Sequence, residues 1–135
     1  MASRQMEQIE EELRVPETNF IREFPTGATR DKDTDKLDYE GFISPLVEWR
    51  YANYMHKNRL QKDGSIRASD NWTLGILPEA YVKSLARHVQ DVKLYHRGFG
   101  DLAVENYQDS LCGVIFNAMG LLFEDLKERR KCESL

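Results

Sequence analysis

The chain has 135 residues, enough for one domain with a single hydrophobic core. Its composition, 41% hydrophobic and 31% charged, excludes a disordered protein. The net charge of −4 argues against a general nucleic-acid-binding surface, for which a basic face is expected. No segment approaches the ~18 apolar residues needed to cross a membrane, and the N-terminus is unlike a signal peptide. We therefore expect a cytoplasmic protein with neither membrane nor nucleic acid as a partner.

The two cysteines, Cys112 and Cys132, have no spacing typical of a metal site or a disulfide framework. Cys112 lies in an apolar run and is expected to pack as a small hydrophobic residue. Cys132 lies in a charged tail, where an exposed thiol indicates a reducing compartment.

The first forty residues contain one predicted helix and one long loop. Residues 3–14 are strong helix formers with apolar residues three and four apart, which predicts a short amphipathic helix. Residues 15–40 combine proline, glycine and charged residues with several large apolar ones. We interpret them as an ordered loop, and a loop of this length is more often functional than structural.

Three further helices are predicted downstream. Ser44 and Pro45 suit the start of a helix over 44–60, and a second loop with two glycines around Trp72 follows it. Pro78 opens a helix that ends at Gly98, with apolar residues at helical spacing. The last helix, over 102–128, is apolar nearly all round in its middle and highly charged at its end.

These patterns predict an all-α protein, a small bundle of about four helices with a long ordered N-terminal loop. A helix that is apolar on all sides is buried on all sides, so we expect oligomerisation or the N-terminal arm to complete the bundle. The predicted organisation is an N-terminal helix and arm over 1–25, an all-α domain over 26–128 and a charged tail over 129–135.

Asn117 interrupts the apolar run "LCGVIFNAMGLLF" of residues 111–123. A buried amide without hydrogen-bond partners costs roughly 1–3 kcal/mol. Three partners are open from sequence: a carbonyl of a neighbouring helix, a second copy of the chain as in coiled coils, or a ligand. The small residues Gly113, Ala118 and Gly120 on the same helix allow another backbone to come close.

Other polar groups also have two interpretations each. His88, on the apolar stripe of the third helix, is either a hydrogen-bonded core residue or a ligand-binding one. Arg87 beside it can bind a phosphate or form a surface ion pair. Glu48 favours the helix dipole in the first turn of its helix. Glu105 and Asp109 lie four apart on one helix face, either solvated or sharing a cation, since carboxylates from different helices build divalent-metal sites in bundles.

Other catalytic motifs are weak or missing. The chain has no glycine-rich phosphate loop and no nucleophile elbow. A metal-dependent phosphohydrolase of the HD type would need His56, His88 and Asp91 around one metal, and their spacing matches that pattern only weakly.

Four stretches in order resemble a known family: "GATRDKDTDKLDYEGFISPLVEWRYANYMHKNR", "SDNWTLGI", "YVKSLARHVQD" and "DSLCGVIFNAMGLL". The chain is similar there to the N-terminal domain of phage dATP/dGTP diphosphohydrolases, which is grouped with the MazG-like all-α nucleotide pyrophosphohydrolases. The resemblance covers about residues 26–126.

The resemblance implies an enzyme, dependent on Mg²⁺ or Mn²⁺, that hydrolyses dGTP or dATP to the monophosphate and pyrophosphate and so adjusts the nucleotide pool during phage infection. Matching positions imply metal ligands at Glu48, Glu105 and Asp109, with Glu48 and His88 catalytic. The implied substrate-binding residues are Arg30, Lys36 and Arg87 for phosphate, Asn71 and Trp72 for the base, and Tyr39 and Asn117.

The chain departs from that family in its carboxylate spacing. MazG-like enzymes usually hold metals with E-x-x-E on one helix and E-x-x-D on the next, whereas Glu48 here begins E-W-R-Y and the last helix offers Glu105-x-x-x-Asp109. The alternative function is a non-catalytic helical adaptor or nucleotide-binding protein of phage origin that acts on a host partner, through the 15–40 loop in the case of an adaptor.

Overall fold

The computed structural model describes residues 4, 7–9, 11, 21–31 and 35–133. The chain divides into two compact units, Met1–Ser44 and Pro45–Leu135. The described part of the chain is mostly helical with one small two-stranded sheet, in agreement with the predicted all-α class.

The first unit contains a short hairpin where the sequence predicts a loop. Strands β1 (Ile21–Glu23) and β2 (Thr29–Asp31) pair antiparallel, and the turn between them includes Gly27 at a φ of 85°. Strands of three residues are too short to show alternation. A single helical turn, α1 (Tyr39–Phe42), follows, and the Asp38 side chain accepts a hydrogen bond from the Gly41 amide at 2.9 Å.

The helix predicted over 3–14 lies mostly outside the described residues. Those that are described in this stretch, residues 4, 7–9 and 11, are helical.

The second unit contains three long helices. They are α2 (Pro45–Lys57), α3 (Pro78–His96) and α4 (Tyr107–Glu133), with short 3₁₀ helices at Asn71–Leu74 and Gly100–Leu102. Helices α2 and α3 begin at the prolines that the sequence indicates, because proline suits a first helical turn.

Helix α4 begins later than the predicted residue 102, because a 3₁₀ turn precedes it and Asn106 caps it. The Asn106 side-chain oxygen accepts a hydrogen bond from the Asp109 amide at 2.8 Å, as an N-cap residue does. The helix then runs to Glu133 without a break at the predicted boundary between domain and tail.

Helices α3 and α4 pack closely because two aromatic side chains lie against two glycines. A Cβ atom added to Gly120 would be 2.2 Å from the ring of Tyr81, and one added to Gly113 would be 2.5 Å from the ring of His88. Tyr81 and His88 are two turns apart on α3, and the glycines are two turns apart on α4, so the helices run antiparallel with rings against bare backbone.

A second set of contacts fixes the segment that leads into α4. The buried Asp91 carboxylate accepts hydrogen bonds from the amides of Val104 at 3.2 Å and Glu105 at 3.3 Å. The Tyr95 hydroxyl donates to the Glu105 carbonyl at 2.8 Å. Helix α3 therefore determines where α4 begins.

Few apolar side chains are buried among the residues that the structure describes: Tyr54, Tyr81 and Cys112. The burial of Cys112 confirms its prediction as a small packing residue, and burial raises the pKa of its thiol. Cys132 is exposed, as expected. No helix in the described ranges combines the length and the apolar character that crossing a bilayer requires.

We predict different effects on the free energy of unfolding for substitutions on the two sides of the Tyr81–Gly120 contact. Gly120→Ala forces a methyl group into the tyrosine ring and should lower the free energy of unfolding by about 1–3 kcal/mol, as overpacking does. Tyr81→Phe removes a buried hydroxyl that has no hydrogen-bond partner in the described part of the chain, so it should be neutral or stabilising. Urea unfolding at one fixed protein concentration measures both, and a strongly destabilised Tyr81→Phe variant would contradict this packing.

Candidate functional site

The second unit contains a cleft of about 480 Å³. Its walls are the C-terminal half of α2, the chain from residue 58 to 72, and the facing sides of α3 and α4. The lining residues are Ala52, Tyr54, Met55, His56, Asn58, Arg59, Arg67, Ala68, Ser69, Asn71, Trp72, Ile76, Ser84, His88, Phe116 and Asn117.

The charge of this lining is opposite to that of the whole chain. It includes two arginines, Arg59 and Arg67, and two histidines, His56 and His88, but no aspartate or glutamate. The chain as a whole has a net charge of −4. A concave site lined by one sign of charge attracts ligands of the other sign, so the cleft favours an anion.

A small hairpin between α2 and the first 3₁₀ helix positions the two arginines. Leu60 and Ile66 form an isolated antiparallel bridge, and beside it the Arg67 amide donates to the Arg59 carbonyl at 2.9 Å. The turn is closed by Asp63, whose carboxylate accepts from the amide of Ser65 at 2.9 Å and from its hydroxyl at 2.6 Å. These hydrogen bonds lower the pKa of Asp63.

Aromatic and amide side chains form the other part of the lining. Trp72 lies on the 3₁₀ helix and packs edge-to-face on Phe123 of α4, with the ring centroids 4.8 Å apart. Asn71 precedes it, and Phe116 and Asn117 come from α4. An aromatic surface beside amides and cations suits a flat, polar, anionic ligand.

Asn117 makes a hydrogen bond within its own helix. Its Nδ2 donates to the Gly113 carbonyl, one turn earlier in α4, at 2.7 Å. The side chain is 2% exposed and lines the cleft. This local partner is none of the three that the sequence left open, and the remaining donor and acceptor of the amide stay available to the cleft.

His88 lies between the cleft and a carboxylate. Its Nδ1 is 3.4 Å from a carboxylate oxygen of Glu105, and its ring lies on Gly113. A ring held on both sides keeps one orientation in the cleft.

Tyr54, also in the cleft wall, is held in its protonated form. Burial, with the charges of Glu105 and Asp109, raises the pKa of Tyr54 to about 12. Its hydroxyl therefore remains a neutral hydrogen-bonding group at physiological pH.

Asp109, a predicted metal ligand, is buried in an ion-pair cluster with α2. Arg50 donates to one carboxylate oxygen at 2.6 Å, and Lys57 binds the other. The Asn106 amide also donates to Asp109, at 3.2 Å. Burial by itself raises the pKa of Asp109, but the hydrogen bonds from Lys57 and Arg50 outweigh it and hold that pKa below its ordinary value.

The residues predicted to bind a metal do not fit a metal site within one chain. Asp109 uses both oxygens on cations, Glu105 pairs with His88, and Glu48 is exposed in the first turn of α2. Within the described ranges, no three histidine, cysteine, aspartate or glutamate side chains lie close enough to hold a metal ion. The HD-type arrangement lacks support for the same reason, since the Asp91 carboxylate binds the amides of Val104 and Glu105 ahead of α4.

The predicted substrate-binding residues fall into three groups. Asn71, Trp72, Asn117 and the predicted catalytic residue His88 line one cleft, although they come from three separate parts of the chain. Arg87 is exposed on α3 and is not among the lining residues. Arg30, Lys36 and Tyr39 belong to the first unit, where all three are exposed.

Arg59 and Arg67 are two cleft residues that the sequence motifs do not indicate. The stretch "RLQKDGSIR" does contain a pattern from which their proximity can be predicted, because apolar Leu60 and Ile66 flank a turn over Asp63 and Gly64. That pattern is typical of a hairpin, and a hairpin brings its two ends together.

We predict that Asp109→Asn destabilises the fold. The change removes the charge from a buried group with two cationic partners, and should lower the free energy of unfolding by at least about 1.5 kcal/mol at pH 7. Because the folded-state pKa of Asp109 is lowered, the ion pairs contribute fully above pH about 4 and are lost as the pH falls through that lowered pKa.

Thermal melts from pH 7 to pH 3 measure this effect. The wild type should lose more stability across that range than Asp109→Asn. The exposed pair of Asp125 with Arg129 supplies the control, since Asp125→Asn should change stability by less than about 0.5 kcal/mol. Parallel pH profiles for wild type and Asp109→Asn would contradict the cluster.

Comparisons with known proteins add no family to this geometry. The chain matches no protein-family model, no curated protein and no solved structure. Its functional interpretation therefore depends on the cleft and on the residues that line it.

Proposed function

We propose that the protein binds a purine deoxynucleoside triphosphate, dGTP or dATP, in this cleft and hydrolyses it to the monophosphate and pyrophosphate. The observation that supports the proposal best is the lining itself, with arginines and histidines but no carboxylate, next to a tryptophan. A nucleotide combines an anionic polyphosphate with a flat base, and the cleft offers a group for each.

The size and the apolar side of the cleft fit this ligand. Small-molecule sites commonly measure about 300–1,000 Å³, and the cleft measures about 480 Å³. Stacking of a base on an aromatic side chain contributes about 1–3 kcal/mol. Asn71 and Asn117 supply amide groups that can distinguish bases by hydrogen bonding.

Of the two histidines that line the cleft, we assign proton transfer to His88, because a carboxylate lies beside its ring. In hydrolysis a general base removes a proton from the attacking water, and histidine is the side chain that most often does so. The Glu105 carboxylate lies 3.4 Å from Nδ1 and helps to orient the ring. Because Glu48, Glu105 and Asp109 do not converge, we assign no step to a metal held by this chain; Mg²⁺ or Mn²⁺ enters the proposal as an ion supplied with the substrate.

Calorimetry with dGTP and dATP, and pyrophosphate release with and without Mg²⁺ or Mn²⁺, test the proposal. We expect Trp72→Ala to weaken nucleotide binding about 5- to 100-fold, as loss of one stacking platform does. Trp49→Ala is the matched control, because Trp49 is 62% exposed on α2 and is not among the cleft residues.

The possible outcomes separate the two functions. Binding with pyrophosphate release supports the hydrolase. Binding without release supports the alternative, a nucleotide-binding protein that acts on a host partner. A wild-type protein that binds no nucleotide contradicts both, and equal effects of the two tryptophan variants would contradict this position for the base.

We further propose that the protein works as a homo-oligomer in the cytoplasm of the infected cell. The outer face of α4 carries an apolar stripe, Leu111, Ile115, Leu122 and Leu126, which are 38–59% exposed in the single chain. The stripe is symmetric in sequence about the point between Ala118 and Met119. Leu111 and Leu126 lie at equal distances on either side of that point, and so do Ile115 and Leu122. A two-fold axis at that point pairs each residue with an apolar one across an antiparallel helix pair, with small Ala118 at the crossing.

Light scattering after size-exclusion chromatography, over a concentration series, tests this interface. Leu122→Glu places a charge in the stripe and should shift the protein toward monomer. Leu102→Glu, at a residue 67% exposed on the second 3₁₀ helix, should leave the mass unchanged. A wild-type protein that is monomeric throughout would contradict the proposal.

A further inference from the structure

We propose that Arg59 and Arg67 form a polyphosphate clamp, which binds the outer phosphates of the nucleotide and distinguishes triphosphates from monophosphates. The clamp deepens the proposed function and rests on it for the identity of the complete ligand. The clamp itself requires a polyphosphate but no base, so it can be tested apart from the nucleotide.

The backbone of the hairpin holds both arginines at its open end. The Arg67 amide bonds to the Arg59 carbonyl at 2.9 Å, and Gln61 and Ser65 pair by a further backbone bond of the same length. The turn that joins them is fixed by Asp63 and by Gly64 at a φ of 86°. The two guanidinium groups therefore start from adjacent, hydrogen-bonded residues on one rigid element.

Arg59 is also fixed through its side chain. Its Nε donates to the Arg67 carbonyl at 2.7 Å. A guanidinium group is planar and has five N–H donors, so this bond sets the plane of the group and leaves the terminal amino groups for a ligand.

No carboxylate neutralises this pair among the residues that the structure describes. Arg50, by contrast, binds Asp109, and Arg129 binds Asp125. The nearby hairpin carboxylate, Asp63, is committed to Ser65 in the turn. Two adjacent cations without a counter-ion repel each other, and an anion between them removes that repulsion.

The chemistry favours phosphate over a carboxylate ligand of single charge. Two arginines can bind several phosphoryl oxygens at once through paired N–H groups. His56 lines the cleft beside them, and its carbonyl accepts from the Arg59 amide at 3.3 Å. A chain of phosphates offers two guanidinium groups more anionic oxygens than a single phosphate does, so the pair favours a triphosphate over a monophosphate.

The test measures three probes by calorimetry: dGTP, dGMP and inorganic tripolyphosphate. The main variant is Arg67→Gln, because the Arg67 side chain makes no hydrogen bond that the hairpin needs in the described structure. We expect Arg67→Gln to weaken both dGTP and tripolyphosphate at least tenfold and dGMP less than twofold. Arg59→Gln should act in the same direction, and Lys62→Gln, which removes an equal charge from the same hairpin outside the cleft lining, should change each affinity less than twofold.

The outcomes separate the clamp from the nucleotide function. Unchanged dGTP and tripolyphosphate affinities in Arg67→Gln would overturn the clamp while leaving nucleotide binding intact. A further outcome is a wild type that binds tripolyphosphate with an affinity that Arg67→Gln lowers, yet binds dGTP no more tightly than tripolyphosphate. In that case the clamp stands and the nucleotide function fails. A wild type that binds neither probe overturns both, and equal losses in Lys62→Gln and Arg67→Gln would reduce the effect to net charge and overturn the clamp.

Discussion

The contact of Tyr81 and His88 with Gly120 and Gly113 is the constraint on which the second unit depends. Aromatic rings can lie directly on a helix backbone only where a residue has no Cβ, and a Cβ at either glycine would overlap a ring. The close approach fixes the register of α3 against α4. It thereby brings His88 of one helix and Asn117 of the other into the same cleft.

The cleft lacks carboxylates because the acidic side chains of the second unit have structural tasks elsewhere. Several carboxylates there are committed to structural tasks: Asp63 closes the hairpin turn, Asp91 caps the entry to α4, and Asp109 binds Arg50 and Lys57. Glu124 binds Lys127, and its hydrogen bond with that lysine lowers the pKa of Glu124. Each acid that organises the backbone or pairs with a cation is absent from the lining, and Arg59 and Arg67 remain without a carboxylate partner in the described ranges.

The sequence predicts the local features of this fold better than the long-range ones. Pro45, Pro78 and Gly98 mark helix ends through backbone preferences that act within a few residues. Trp72 and His88 line one cleft, and nothing in their spacing along the sequence predicts this. The partners of Asp109 could not be predicted, because Arg50 and Lys57 lie more than fifty residues away in sequence and meet it only when α2 packs on α4. The spacing of Asp109 from Glu105 in the sequence therefore does not reveal these partners.

The contrast between a cationic cleft and an acidic chain has a consequence for the rate of encounter. At low ionic strength, where screening is weak, a polyphosphate outside the cleft experiences the field of the whole protein, whose net charge of −4 repels it. Inside the cleft the same ligand meets only positive and neutral groups. Added salt weakens the repulsion during approach and the attraction after arrival, so the two effects oppose each other. The affinity for a polyphosphate should therefore vary much less with ionic strength than binding to two arginines alone would suggest. Its binding should depend more on the shape of the cleft than on long-range electrostatic attraction.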